Sequence, residues 1–200
     1  EGEMKSAEEI LQQALRYKRY WGKKGGITVS GGEALLQIDF VTELFTLAKE
    51  KGVNTCLDTS GNPFTREEPF YSKFEKLMEV TDLFMLDIKE IDEDEHKKLT
   101  GQTNKNILDM ATCLSDHGKA MWIRHVLVPG ITDDDGQLHR LRAFIDTLKT
   151  VERVEILPYH TLGVFKWKEL GIPYALEDVE PPTKEQVEHA REIIIPDYKS

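Results

Sequence analysis

The chain has few cysteines, no long apolar run and no excess of positive charge. Its two cysteines, Cys56 and Cys113, lie far apart, which excludes a disulfide framework and predicts a reducing, cytoplasmic setting. No apolar run is long enough to span a bilayer, and no secretory signal pattern is present. The net charge of −10 argues against nucleic acid as a partner, because such partners need basic surfaces.

The usual metal-binding spacings are also missing. There is no Cys-x-x-Cys pair and no His-x-x-x-His pair, so these residues alone predict neither a zinc nor an iron–sulfur site. Both cysteines fall in apolar segments and are expected to be inert buried thiols. Four histidines occur in polar helical segments and are predicted to lie at the surface: His96, His117, His139 and His189.

Apolar residues recur with alternating helical and strand periods along the whole chain. This pattern predicts a helix beginning at Ser6, whose hydroxyl and Glu9 form a capping box, and a last helix beginning at Thr183. Strands are predicted at 27–30, 53–59, 83–88, 120–128 and 154–157. Alternating strands and helices indicate an α/β fold with parallel strands, either a doubly wound sheet or a (β/α) barrel. We expect one domain over residues 1–200, with the first strand of a barrel and its loop absent.

The carboxyl-terminal part of every predicted strand carries or precedes polar residues. Because the carboxyl ends of parallel strands meet at one edge, such residues are expected to surround a common ligand. Each one alone is also explained by a turn or a helix cap, but polar residues at all five strand ends favour a site. The five ends are Ser30–Glu33, Asp58–Thr59, Asp87–Lys89, Arg124–His125 and His160.

The first of these ends carries two adjacent glycines, Gly31 and Gly32, followed by Glu33. Glycine lets the main chain approach a ligand closely and leaves its amide groups accessible. The other interpretation of the pair is a tight strand-to-helix turn. A carboxylate beside exposed main chain favours a small ligand that carries an amine.

Side chains alternate between the faces of a strand, so Asp87 and Lys89 share a face. A desolvated pair of opposite charges is costly unless a ligand completes it. A small amphoteric ligand would satisfy the strand ends. Its carboxylate would meet Lys89 or Arg124, its hydroxyls would reach His160, and its ammonium would meet one of three acids: Glu33, Asp58 or Asp87.

Ser30–Gln37 resembles the Gly-Gly-Glu motif of radical S-adenosylmethionine (SAM) enzymes. That motif is shared across the superfamily, whereas the further matching segments resemble the glycyl-radical-enzyme activases within it. These segments are Cys56–Gly61, Thr81–Lys89, Trp122–Arg124, Val128–Gly130 and Leu157–His160.

The resemblance implies a partial (β/α)6 barrel that binds SAM and a [4Fe–4S] cluster, the cluster being held by a Cys-x-x-x-Cys-x-x-Cys motif. It implies reductive cleavage of SAM to a 5′-deoxyadenosyl radical and formation of a glycyl radical on a partner enzyme. The expected partner is pyruvate formate-lyase, and the expected electron donor is a flavodoxin or ferredoxin.

The resemblance also implies roles for individual residues. Gly31, Gly32 and Glu33 match the motif that meets the methionine amine of SAM. Other SAM-side positions are matched by Asp87, Ile88, Lys89, Arg124 and His160. A monovalent cation is expected at Asp58, Thr59, Met85 and Asp87, and two of these positions, Asp58 and Asp87, are also assigned to SAM.

The chain departs from this family in lacking the cluster cysteines, so alone it is expected to be inactive. An open sheet edge is expected to reduce stability or promote self-association. Three alternatives remain: a non-catalytic module that binds SAM, a nucleoside or the partner; an activase of another glycyl-radical enzyme; and a barrel aldolase using Lys89. The aldolase is disfavoured by the negative charge of Asp87 on the same face.

Overall fold

The computed structural model describes residues 2–22, 25–173, 176 and 178–195. It divides into two compact units. Unit 1 comprises Glu1–Leu86, Lys105–Trp122 and Lys149–Val151. Unit 2 comprises Asp87–Asn104, Ile123–Leu148 and Glu152–Ser200. Each unit is described by itself below.

The strands of the described residues form one parallel sheet, which confirms the predicted α/β class. In both chain and sheet order they are β1 (Gly26–Val29), β2 (Asn54–Thr59), β3 (Leu83–Asp87), β4 (Met121–Leu127) and β5 (Val151–Pro158). A doubly wound sheet reverses its strand order at a switch point, whereas a barrel proceeds in one direction. The unreversed order therefore favours the barrel-like alternative.

Eight α-helices occur within the described ranges. They are α1 (Ala7–Leu15), α2 (Ile38–Glu50), α3 (Phe70–Val80), α4 (Glu93–Thr100), α5 (Lys105–Asp116), α6 (Asp135–Ile145), α7 (Val164–Glu169) and α8 (Lys184–Ile194). The predicted capping box is confirmed, since Ser6 Oγ accepts from Glu9 N and the Glu9 carboxylate accepts from Ser6 N. Sequence periodicity missed α4, because this highly charged helix has almost no apolar face; Asp92 caps its amino end. No described helix combines the length and apolarity needed to cross a membrane.

Burial alternates along the strands, as the two-residue period requires. In unit 1, Thr55, Leu57 and Thr59 of β2 are buried, whereas Cys56 and Asp58 are half-buried. Beside these strands, the fully buried Phe45, Phe74 and Phe84 supply much of the apolar core. Phe74 also meets Phe64 edge-on, with the ring centroids 5.0 Å apart. The half-buried face thus carries Asp58, whereas Thr59, which the sequence also assigns to the site, lies on the buried face.

In unit 2, the buried positions of β4 are Ile123, His125 and Leu127. The predicted surface position of His96 is wrong, because this α4 side chain is only 2% exposed. Burial of two histidines beside an apolar core is costly unless their ring nitrogens find partners. Both ring nitrogens of His125 have main-chain partners, whereas His96 Nδ1 is buried without a hydrogen-bond partner among the described residues.

Candidate functional site

The glycine pair after β1 exposes its main chain. Gly31 and Gly32 have φ angles of 93° and 54°, in the left-handed region that favours glycine. A Cβ atom built on either glycine would have no neighbour within 4 Å apart from the adjacent residues. Both residues are exposed, so the loop presents bare peptide groups with open space beside them.

The Glu33 carboxylate ties this loop to the end of β2. One oxygen accepts hydrogen bonds from Leu35 N (3.0 Å) and Thr59 Oγ1 (2.5 Å). The other accepts from Ser60 N (2.9 Å) and Ser60 Oγ (2.5 Å). A carboxylate offers about four acceptor sites. Donors from the protein therefore fill the side chain that the sequence assigns to a ligand amine, and the exposed main chain of Gly31 and Gly32 is left facing solvent.

The end of β2 is held by its own short-range contacts. Thr59 Oγ1 also accepts a hydrogen bond from Gly61 N at 2.9 Å. Gly61 has a φ angle of 72°, and a Cβ atom there would lie 2.9 Å from Leu86 Cδ1. Asp58 is half-buried and lies directly opposite Met85 in the parallel register. Two of the four predicted cation ligands are therefore cross-strand neighbours within unit 1.

In unit 2, Asp87 forms an ion pair with Arg124. Asp87 Oδ1 lies 2.7 Å from both Nε and Nη2 of Arg124, and the two side chains are 21% and 15% exposed. The expected pairing of Asp87 with Lys89 is replaced by this one, because the guanidinium of the neighbouring strand reaches the carboxylate. Among the described residues, Lys89 has neither a hydrogen-bond partner nor an ion-pair partner.

The main chain of Ile88 is held on both sides. Ile88 N donates to Arg124 O at 2.9 Å, which continues the sheet ladder beyond β3. Ile88 O lies 2.9 Å from Nδ1 of His125, and the Nε2 atom of the same ring lies 3.0 Å from Thr132 O. His125 is 2% exposed. Sequence analysis placed His125 at a strand end without giving it a role.

A second set of contacts holds the main chain beyond Lys89. The buried Asn104 side chain donates to Glu90 O (3.0 Å) and Ile91 O (2.8 Å). His96 also donates to the main chain of Glu90, while burial lowers the His96 pKa. Burial likewise raises the pKa of the Glu90 carboxyl, although it accepts from Asp92 N at 2.9 Å. Sequence analysis missed this cluster, since nothing in the spacing of these residues signals that they meet.

His160 stands at the end of β5 in unit 2 and is exposed. Its neighbour Tyr159 extends the ladder by donating from its main-chain nitrogen to Leu127 O at 3.1 Å. In the part of the chain that the structure describes, the His160 ring makes no hydrogen bond or ion pair. The structure thus brings Gly31–Glu33 to Thr59 within unit 1, and Asp87 and Ile88 to Arg124 within unit 2.

Comparison with known proteins places these features in a family. The model of the Radical SAM superfamily matches residues 1–141. The pyruvate formate-lyase-activating enzyme of Streptococcus mutans serotype c is 57% identical over 190 residues, which are 95% of this chain and 72% of that protein. The chain belongs to the pyruvate formate-lyase-activating enzyme family of the radical SAM superfamily. The enzyme of this name from Listeria monocytogenes serovar 1/2a is 50% identical over 194 residues, 96% of this chain and 78% of that protein.

Solved structures support the same fold. A domain of the pyruvate-formate lyase-activating enzyme from Bacteroides vulgatus aligns with a TM-score of 0.69 at 21% identity. The alignment covers 86% of this chain and 94% of that domain. At this identity the likeness shows the fold alone, a partial barrel of the radical SAM type. The predicted partial barrel with parallel strands is therefore confirmed.

Membership in the activating-enzyme family implies SAM and a [4Fe–4S] cluster as cofactors. In unit 1 the exposed main chain of Gly31 and Gly32 fits a ligand amine, and in unit 2 the ammonium of Lys89, which has no partner among the described residues, fits a ligand carboxylate. SAM carries both groups. The two cysteines do not fit the cluster, which is held by several thiolates. Burial raises the pKa of Cys113, whose thiol lies 3.8 Å from Tyr71 Oη, and Cys56 lies within β2. No group of three or more His, Cys, Asp or Glu residues among the described residues could hold a metal ion.

Proposed function

We propose that this chain functions in a radical SAM activase that generates the glycyl radical of pyruvate formate-lyase. The observation that carries the proposal is the exposed glycine pair, which Glu33 fixes to the end of β2, in a chain 57% identical to an enzyme of that name. When bound, SAM supplies radical chemistry through reductive cleavage of its sulfonium. The residues of this chain bind and orient it.

The chemistry of each residue suggests which part of SAM it binds. The main-chain groups of Gly31 and Gly32 would meet the methionine amine, with Glu33 fixing their conformation. Lys89 and Arg124 would face the carboxylate, because both are cationic; in unit 2 Lys89 lies just after β3, and Arg124 lies within β4. Ile88 and His160 would contact the nucleoside part of the ligand.

A monovalent cation would complete the negative part of the site. Asp58 lies opposite Met85 in the register, and Thr59 follows Asp58 at the end of β2. Carboxylate, hydroxyl and carbonyl oxygens are the ligands that a hard cation prefers. We include this cation in the proposal because these positions and Asp87 match those of the family.

The proposal extends to the setting of the enzyme. Its partner would be pyruvate formate-lyase, after which the relatives are named, and its electron donor a flavodoxin or ferredoxin. We place it in the cytoplasm and treat residues 1–200 as a single radical SAM domain. Because the two cysteines of this chain do not fit a cluster, a second candidate is a module that binds SAM or the partner without catalysing a reaction.

Titration calorimetry of the chain with SAM tests the proposal without requiring iron. Lys89→Gln should weaken SAM binding by about tenfold or more, since a hydrogen bond to a charged group contributes about 1.5–3 kcal/mol. The matched control is Lys76→Gln, because Lys76 is exposed on α3. Equal affinity of both variants, or no binding by the parent chain, would contradict the assignment.

Capture experiments separate the candidate functions. The chain should retain pyruvate formate-lyase on an affinity column and should not retain another glycyl-radical enzyme to the same extent. Iron and acid-labile sulfide should be absent after anaerobic reconstitution of this chain, since its cysteines do not fit a cluster. A reconstituted chain that bound four iron atoms and cleaved SAM reductively would contradict the non-catalytic candidate. It would also show that other residues act as cluster ligands.

A further inference from the structure

Two consecutive residues of β4 hold the end of β3 through different groups. The Arg124 side chain pairs with Asp87, and its carbonyl accepts from Ile88 N at 2.9 Å. The His125 ring lies on the opposite, buried face and reaches Ile88 O at 2.9 Å. Ile88 lies between Asp87 and Lys89, so any shift of its peptide group moves both charged side chains.

The contacts of the His125 ring require two ring hydrogens. Carbonyl oxygens only accept hydrogen bonds, and the ring faces one at each nitrogen, Ile88 O and Thr132 O. Neutral imidazole carries one N–H, so one nitrogen lone pair would then face an oxygen. Only the imidazolium ion donates to both carbonyls at once.

Among the described residues, no negatively charged group contributes to the shift of the His125 pKa. The charged residues of the adjacent strand ends, Asp87, Lys89 and Arg124, occupy the alternate, half-buried positions. In the adjoining turn, the Asp133 carboxylate accepts from Gly130 N at 2.7 Å. Burial lowers the pKa of His125, while the two carbonyls raise it. Burial is the larger effect, so the doubly donating form occurs only below the ordinary pKa of histidine.

The Thr132 contact gives the ring a firm anchor. Thr132 is 1% exposed. Its Oγ1 atom donates a hydrogen bond to Val126 O (2.7 Å) and accepts one from Val128 N (2.8 Å). The turn after β4 is thereby closed on itself. A ring hydrogen-bonded to this turn has a fixed position from which to hold Ile88.

We infer that His125 is a positioning residue for SAM binding, which as imidazolium links the Thr132 carbonyl to the Ile88 carbonyl and so orients Asp87 and Lys89. This inference rests on the proposed function. It assigns the ring no contact with SAM. Its consequence is that SAM affinity depends on the protonation of a residue buried behind the site.

Nitrogen NMR of the ring tests the protonation directly and requires no ligand. The His125 signals of the labelled chain, assigned by their loss in His125→Gln, should show two protonated nitrogens at the lowest pH at which the chain is folded and one at pH 8. The amide signal of Ile88 should shift over the same range. A ring that remains singly protonated wherever the chain is folded would overturn the inference.

SAM titrations at the same pH values test the positioning role. The affinity of the parent chain should fall about tenfold from the lowest pH at which the chain is folded to pH 8, or about 1.4 kcal/mol. His125→Gln should abolish this pH dependence, whereas His139→Gln should retain it, because His139 is exposed on α6. A ring that titrates while the affinity stays constant would also overturn the inference. Absence of SAM binding at every pH would instead refute the proposed function, and the NMR titration would still decide the state of the ring.

Discussion

The polar strand ends of the two units are stabilised in opposite ways. In unit 1 a single acceptor, the Glu33 carboxylate, gathers four donors from Leu35, Thr59 and Ser60. In unit 2 the main-chain oxygens of Ile88 and Glu90 act as acceptors, and buried His125 and Asn104 donate to them. One end is fixed by an anion and the other by uncharged or cationic donors.

This difference matches what each end presents. Unit 1 exposes peptide groups of glycine, which need a rigid loop but carry no side chain of their own. Unit 2 presents the side chains of Lys89 and Arg124. The placement of these side chains depends on how the main chain that carries them is held. A carboxylate suits the first case because it collects several N–H and O–H groups, and side-chain donors suit the second because they hold carbonyl oxygens.

The largest effect is expected for Glu33→Gln, which removes the central acceptor of unit 1. Whichever way the amide is oriented, the main-chain N–H of Leu35 or of Ser60 faces an NH2 group. Loss of charge-assisted hydrogen bonds with one donor left unpaired should lower the free energy of unfolding by about 3 kcal/mol. Urea denaturation measures this change.

Glu43→Gln is the matched control for that variant, since Glu43 is exposed on α2. It should change stability by less than about 0.5 kcal/mol. If both variants were equally stable, Glu33 would not organise the loop, and the contrast between the two units would fail.

A smaller loss is expected for Arg124→Gln in unit 2. This change leaves the Asp87 carboxylate, 21% exposed, without its guanidinium partner. Breaking a buried pair costs about 3–5 kcal/mol, and partial exposure should reduce the cost here to about 2 kcal/mol. Arg140→Gln breaks the exposed pair with Asp92, whose closest N···O distance is 3.7 Å, and should cost less than about 1 kcal/mol. Equal costs in thermal or urea unfolding would show that the Asp87 pair is no more than a surface contact.

Gly61→Ala tests whether a steric clash adds to the cost of backbone strain at the end of β2. Gly61 and Gly118 have similar φ angles, 72° and 67°, but only a Cβ atom on Gly61 would meet a neighbour, Leu86 Cδ1 at 2.9 Å. Gly61→Ala and Gly118→Ala should each lower the free energy of unfolding by about 1 kcal/mol, because alanine is strained in the left-handed conformation. Gly61→Ala should lose about 1 kcal/mol more from the clash with the core. Identical unfolding midpoints would mean that the core absorbs the methyl group without cost.

Much of this architecture follows from local patterns in the sequence. The period-two burial of β2, β3 and β4 and the capping box at Ser6 depend on neighbouring residues alone, so both were predictable. The helix α4 was missed because its stability comes from charge and the Asp92 cap rather than from an apolar face.

The candidate site was predictable in its members but not in its contacts. The sequence assigns Asp87 and Arg124 to strand ends, but Arg124 lies within β4, and only coordinates show that the two residues pair with each other. The contact of Glu33 with Ser60, 27 positions away, and that of His125 with Ile88, 37 positions away, depend on the register of strands. Sequence spacing carries no such information, so the buried position of His96 and the carbonyl contacts of His125 could not be predicted.

The smallest expected effect concerns Glu90, whose pKa is raised by burial. Because the folded state favours the neutral carboxyl, its stabilising contribution is complete below the unfolded pKa and is lost as pH rises through the folded pKa. Glu90→Gln cannot ionise and keeps an oxygen that can accept from Asp92 N. The variant should therefore gain stability relative to the parent chain between pH 4 and pH 8, by less than about 1 kcal/mol. Glu79→Gln, exposed on α3, should show no such trend. A stability difference for Glu90→Gln that stays flat or falls with pH would mean that the carboxylate is ionised at little cost, and that unit 2 also tolerates an anion beside its main-chain donors.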